Sequence, residues 1–140
     1  MKNIYLFAIV LLTFLLGCSR EEKYEVFSSE AFAYKLEEGW ELNTSAHVKD
    51  FVLKEENEIY TCDLTYYIDI QTPSGITIAK ADTGLIQESS GDEIDEVAID
   101  IQMELDDGFE EGTYKVVYFV VDKNNNQLVT DTTTFDLTRE

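Results

Sequence analysis

The chain has 140 residues, of which 29 are acidic and 10 are basic, so its formal net charge is −19 at neutral pH. Such a chain has no basic patch that could neutralise phosphates, which excludes a nucleic-acid partner. Hydrophobic residues make up 44% of the chain and aromatic and β-branched residues are plentiful, so the composition predicts a folded protein. The length suits one domain with one core, and the high charge favours a monomer.

The first eighteen residues have the layout of a secretory signal. Lys2 precedes an apolar run, residues 4–16, which is shorter than the roughly 20 residues of a membrane span. The run closes in Leu15-Leu16-Gly17-Cys18, which resembles the lipobox of bacterial lipoproteins. That resemblance implies cleavage before Cys18 and acylation of this cysteine, and two or more acyl chains give stable membrane attachment. The alternatives are an uncleaved anchor helix or a plain signal peptide with a chance cysteine.

The next residues, Ser19-Arg20-Glu21-Glu22-Lys23, bear on location. Serine after the cysteine is compatible with the Gram-negative outer membrane. The short acidic run resembles the signal by which some Gram-negative groups move lipoproteins to the outer face. We therefore expect a lipid-anchored outer-membrane protein, with the periplasmic or cell-surface face left open. The expected divisions are a signal peptide (1–17), a lipidated cysteine with a linker (18–29) and one domain (30–140).

Removal of the signal peptide hardly changes the electrostatics. Cleavage before Cys18 removes Lys2 and leaves 29 acidic and 9 basic residues, a formal charge of about −20. Such a domain is repelled by anionic lipid, so the acyl chains must hold it at the membrane.

Alternating stretches predict strands along the rest of the chain. The first is expected around Phe32, Tyr34 and Leu36, and Trp40 and Leu42 continue the pattern after a break. Residues 43–45 (Asn-Thr-Ser) have the composition of a turn. The next strand, from Ala46 to Lys54, slips in phase, and a β-bulge near Asp50 would repair the slip.

The clearest two-residue periods run from Ile59 to Gln71 and from Val97 to Leu105. In the first, Cys62 shares a face with large apolar residues, so we expect it to be buried and structural. With Cys18 acylated, no disulfide forms within the chain. Two short strands, Ile76–Lys80 and Leu85–Gln87, are expected between these stretches, separated by residues 82–84.

The last third of the chain predicts a hairpin. Thr113 to Asp122 is nearly all apolar, as in a central strand covered on much of both faces. Residues 123–126 turn the chain into a final strand, Gln127 to Thr138. Seven or so short strands favour a β-sandwich over a lipocalin-like barrel, which needs eight long hairpin strands.

A tyrosine that opens a strand adds a resemblance. Gly112-Thr113-Tyr114 follows a glycine-bearing corner and resembles the tyrosine corner of immunoglobulin-like and fibronectin-III-like domains. This implies an all-β, Ig-like antiparallel β-sandwich of about seven strands over residues 30–138. The inter-sheet disulfide of antibody domains is missing because Cys62 has no partner, so the resemblance is to the wider Ig-like architecture.

Catalytic residues do not stand out. His47 is the one histidine, and we expect it on the surface. No glycine-framed serine such as Gly-x-Ser-x-Gly is present, and carboxylates are too abundant for any pair to be distinguished. We therefore expect a non-catalytic binding or assembly module with a protein or glycan ligand. The alternative is a small envelope enzyme, such as a glycan hydrolase, that acts through carboxylates.

The last turn has two interpretations, a calcium site and a polar hairpin turn. Asp122, Asn124 and Asn126 match the opening of a calcium loop, Asp-x-Asn-x-Asn. Gln127 and Thr133 stand where the loop's glycine and bidentate glutamate belong, so a polar hairpin turn is the favoured interpretation. We expect no cofactor beyond the lipid on Cys18.

Three further features of the sequence bear on function. The acidic cluster Asp106, Asp107, Glu110 and Glu111 has no cation near it in sequence and is expected to be a solvated corner. Residues 131–133 (Asp-Thr-Thr) resemble a short bacterial O-glycosylation acceptor or a plain strand. Outward-pointing aromatic and aliphatic side chains would form a recognition surface, although the second sheet is expected to cover those of the last strand pair; these side chains are Tyr67, Val117, Phe119 and Val121.

Overall fold

A computed structural model describes residues 22–140, which form an antiparallel β-sandwich. Its eight strands are β1 (Glu25–Lys35), β2 (Trp40–Lys49), β3 (Lys54–Glu56), β4 (Ile59–Gln71), β5 (Thr77–Ser90), β6 (Glu96–Leu105), β7 (Gly112–Asp122) and β8 (Gln127–Leu137). One sheet has the order β1-β2-β6, and the other has the order β3-β4-β7-β8 with β5 paired to β4. No helix long and apolar enough to cross a membrane occurs in the described residues. The predicted all-β sandwich is confirmed.

Alternation of buried and exposed side chains places the core between the two sheets. In β2 every second residue is buried from Trp40 onward, and β7 alternates in the same way from Tyr114. Cys62 is fully buried in this core, as predicted. The largest fully buried side chains are Trp40, Tyr114, Tyr118, Leu42, Leu64, Ile68, Ile70, Ile99 and Leu137.

The predicted turn at residues 43–45 is wrong, because β2 runs through it without a break. Thr44 lies on the inward face and is 3% exposed. Its hydroxyl donates to the carbonyl oxygen of Glu30 at 2.8 Å, so the Tyr118 hydroxyl is the donor in the contact between Thr44 and Tyr118. Burial of this pair raises the pKa of Tyr118 to about 12. The polar composition indicated a turn, but the strand continues because the buried Thr44 hydroxyl is fully hydrogen-bonded.

The phase slip near Asp50 has a different origin from a bulge. Asp50 has a left-handed backbone with φ of +56°, and it comes directly after the last residue of β2. The chain leaves the first sheet here, buries Phe51 and enters β3 in the second sheet. The irregularity is where the sequence indicates it, but it ends the strand that was predicted to continue to Lys54.

The two short strands predicted between residues 76 and 87 are one continuous strand, β5. Its register against β4 shifts opposite Ile68 to Ile70, where Lys80 has a φ of +50° and donates its amide to Asp69. Gly84 continues the strand because the ring of Tyr66 covers it; a Cβ at this position would lie 2.4 Å from a ring atom. The total of eight strands agrees with the expected seven or so.

The first strand begins at Glu25, within the stretch predicted to be a linker. Its pairing with β2 shifts between Phe27 and Glu30, where Ser28 has a φ of +51°. Beyond the shift Ala31 and Ala33 pack against the core, and the aromatic residues of this strand point away from it.

Tyr114 links the start of β7 to the corner before it. The hydroxyl of Tyr114 donates to the carbonyl oxygen of Glu110 at 2.7 Å, and its fully buried ring stacks on Phe135 at 5.1 Å. Gly112 begins the strand with a φ of +137°, which only glycine adopts readily. The contact ties the β6–β7 corner to the core.

Candidate recognition surfaces

Cys18, the expected acylation site, lies outside the described residues. The structure does describe Asp122, the first of the weak calcium candidates, which is fully buried. Its Oδ2 accepts the amide of Val52 at 2.7 Å and its Oδ1 accepts the amide of Asn124 at 2.9 Å. Asn126 has a φ of +58°, as expected for a polar hairpin turn. Both carboxylate oxygens therefore hold backbone in place.

The corner that includes Asp106 and Asp107 is exposed, as expected, and it meets cations that are distant in sequence. Oδ1 of Asp107 lies 3.2 Å from Nζ of Lys35 and accepts the amide of Gly39 at 2.8 Å. These two hydrogen bonds, the amide first, lower the pKa of Asp107. Arg139 donates its amide to Glu111 at 2.7 Å. These carboxylates therefore secure neighbouring loops.

The remaining acids of this corner also have local partners. Glu110 accepts the amide and hydroxyl of Ser74, and Asp106 accepts the amide of Gly108. Within residues 22–140, no three His, Cys, Asp or Glu side chains are grouped so that they could hold a metal ion.

His47 lies on the surface, as predicted. Its Nδ1 is 3.2 Å from Oε1 of Glu96, and its ring lies against Phe27 with the centroids 5.6 Å apart. Cys62 is remote from solvent, and burial raises the pKa of its thiol. The pKa values of Glu41 and Asp107 are lowered, the opposite of what a general acid needs. The described residues present no assembled nucleophile and base.

The outer face of the larger sheet carries an apolar surface, which we call the apolar face. It crosses four strands, because Leu85 pairs with Thr65, Thr65 with Val121, and Val121 with Leu128. Leu85 and Leu128 are 66% and 53% exposed. The second sheet packs on the opposite side, so the expected covering of the last strand pair is wrong. The members are Tyr67, Leu85, Val117, Phe119, Val121 and Leu128.

Two aromatic rings occupy the centre of the apolar face. Tyr67 and Phe119 stack with centroids 4.6 Å apart and an angle of 9° between their planes. Nζ of Lys80 lies 5.5 Å from the centroid of the Tyr67 ring. The Tyr67 ring therefore has two neighbours within the protein, and the most exposed members of the apolar face are the aliphatic Leu85 and Leu128.

The outer face of the smaller sheet carries a different surface, which we call the aromatic–acidic face. It consists of Phe32, Tyr34, Glu41, Asp100 and Glu104. Tyr34 pairs with Glu41, and Glu41 pairs with Glu104, so the three side chains form one row across the sheet. Phe32 and Tyr34 are 47% and 58% exposed, with their rings edge to face at 5.3 Å.

An amide holds a carboxylate of this face in place. Nδ2 of Asn43 donates to Oε1 of Glu41 at 3.0 Å. Hydrogen bonding from the side chain of Asn43, and then from that of Gln102, lowers the pKa of Glu41. The sequence did not predict this face, because the alternation of Phe32 and Tyr34 indicates a strand without showing which side of it is buried. The small side chains of Ala31 and Ala33 were the one signal that the other side turns inward.

No protein-family model matches the sequence, and none of the curated proteins compared with it is a match.

Proposed function

We propose that this protein is a lipid-anchored lipoprotein of the Gram-negative outer membrane that acts as a non-catalytic binding or assembly module. The observation that carries the proposal is the open apolar face on the larger sheet. Exposed contiguous apolar surface on a folded domain is typical of protein–protein interaction sites. Here the apolar face occurs on a highly acidic domain whose solubility depends on its charged residues.

The anchor rests on the sequence Leu15-Leu16-Gly17-Cys18. Six residues lie between Cys18 and the start of β1 at Glu25, and the seven extended steps from one to the other reach about 25 Å. This is long enough for the domain to stand clear of lipid headgroups while staying near the membrane. Substitution Cys18→Ala should release the protein from the membrane fraction, and full retention of the variant there would contradict the lipid anchor.

Membership of the immunoglobulin-like or fibronectin-III-like class is part of the proposal. The strand order supports it, because β1-β2-β6 opposite β5-β4-β7-β8 corresponds to the arrangement A-B-E opposite C′-C-F-G. The Tyr114 contact with Glu110 supports it as well. Domains of this architecture present broad sheet faces and edges to partners.

A protein partner suits the apolar face better than a glycan. Sugar rings bind most favourably on free aromatic faces, whereas Tyr67 and Phe119 stack on each other and Lys80 lies over the Tyr67 ring. The exposed groups that remain are the leucines at the two ends of the row, which suit the apolar side chains of a protein. Self-association is opposed by the charge of about −20.

Site-specific crosslinking in intact cells tests the proposal. A photoreactive amino acid at Leu85 or Leu128 should yield a discrete protein adduct, and the substitution Phe119→Ser should reduce its yield. The matched control is the same amino acid at Thr134, an exposed position on the same side of β8. Equal adducts at all three positions, or none at the two leucines, would contradict binding at the apolar face.

A further inference from the structure

The aromatic–acidic face contains an arrangement that is unfavourable for the isolated domain. Glu41 and Glu104 are directly opposite on adjacent strands, and like charges in that position destabilise a sheet. The ion pairs formed within residues 22–140 join Lys35 with Asp107, His47 with Glu96 and Lys49 with Glu25, so none of them neutralises this pair. The carboxylates of this row are available to an external cation.

The aromatic residues beside these carboxylates are unusually exposed. Tyr34 extends the row of Glu41 and Glu104, and Phe32 occupies the next row on the same face. Adjacent strands are about 4.8 Å apart, so the row from Tyr34 to Glu104 spans about 10 Å. One side chain with a flat cationic head could therefore contact a ring and a carboxylate at once.

We propose that the aromatic–acidic face docks an arginine-bearing protein segment. A guanidinium group stacks on aromatic rings and forms paired hydrogen bonds with carboxylates, and this face offers both within one row. Lysine provides the charge without the planar fork, so arginine is preferred. The amide of Asn43 holds Glu41 in position for such a contact.

Charge decides against the other occupants. A second copy of this chain carries the same excess of acidic residues, and an anionic lipid surface repels the face. The aromatic–acidic face lies far from the N-terminal segment, which favours a partner protein that approaches from the side away from the membrane anchor. Tyr34 lies nine residues along β1 from Glu25, about 30 Å from the end at which the N-terminal segment joins the domain.

Peptide binding by the purified full-length chain in detergent micelles tests the proposal. The probe is a fluorescent peptide of alternating arginine and threonine, and anisotropy is measured at about 0.15 M salt, where the Debye length is about 8 Å. We expect saturable binding, and we expect the lysine–threonine peptide to bind several-fold more weakly. The double substitutions Phe32→Ser with Tyr34→Ser, and Glu41→Gln with Glu104→Gln, should each weaken binding about tenfold or more.

Matched variants separate a site from general attraction to an acidic protein. Glu55→Gln with Glu56→Gln removes the same charge from β3 and should leave binding within about twofold. Leu85→Ser with Leu128→Ser disrupts the apolar face and should leave peptide binding unchanged. Loss of arginine binding at the aromatic–acidic face can therefore be told apart from loss of partner binding at the apolar face. Equal losses from the two glutamate pairs, equal affinity for both cationic peptides, or no binding would overturn the proposal.

Discussion

Substitution of Asp122 tests whether this carboxylate is a structural link or a metal ligand. It accepts the amides of Val52 and Asn124 from a fully buried position. A hydrogen bond to a charged group contributes about 1.5–3 kcal/mol. Asp122→Ala loses both bonds and should lower the free energy of unfolding by about 4 kcal/mol. Asp122→Asn keeps one acceptor and sets its NH₂ against the other amide, so it should cost about 2 kcal/mol.

Urea unfolding followed by the fluorescence of Trp40, the single tryptophan and a buried one, measures these differences. Asp92→Asn makes the same change of charge in an exposed loop and is the control, with an expected effect of less than about 0.5 kcal/mol. If Asp122→Asn lowers the free energy of unfolding no more than this control does, the two hydrogen bonds of Asp122 do not stabilise the fold. If calcium raises the unfolding midpoint of the unmodified protein but not of Asp122→Ala, Asp122 is a ligand and our interpretation is wrong.

Three further results are expected. Tyr114→Phe removes the bond to Glu110 and should cost about 1–2 kcal/mol in the same urea assay; an unchanged midpoint would show that the corner contributes nothing. Cys62→Ser places a hydroxyl in the core and should cost about 1–3 kcal/mol, and alkylation mapped by mass spectrometry should reach Cys62 only in urea; rapid alkylation of the native protein would contradict its burial. Asp107 has a lowered pKa when folded, so its contribution to stability is present above the ordinary carboxyl range and is lost as pH falls through the folded pKa. Asp107→Asn should therefore make the thermal midpoint less dependent on pH in acid, and parallel curves for the two proteins would argue against this.

Local pattern accounts for much of the fold. The two-residue period of residues 59–71 and 97–105 predicted β4 and β6 with their buried faces, including Cys62. This succeeds because burial on one side of a strand leaves an alternating record in the sequence. The surface position of His47 and the polar turn at Asn126 could also be predicted, since each depends on residues close to it.

Other features depend on partners far away in sequence, and local pattern could not reveal them. Thr44 is polar, yet it remains within β2 because Glu30 and Tyr118 satisfy its hydroxyl across the sandwich. Gly84 does not break β5, because the ring of Tyr66 on the neighbouring strand covers it.

The sequence by itself determined that this protein is an acidic all-β domain, because composition and strand periodicity are local properties. It also predicts the lipid anchor at Cys18, which stays a prediction. Only the tertiary structure decided which faces are open. The apolar sequence around Phe119 would look the same whether a second sheet or a partner protein covered that side of the strand. Tyr34 turns outward only because of the register shift before Glu30. Both candidate surfaces arise from how strands distant in sequence are brought together.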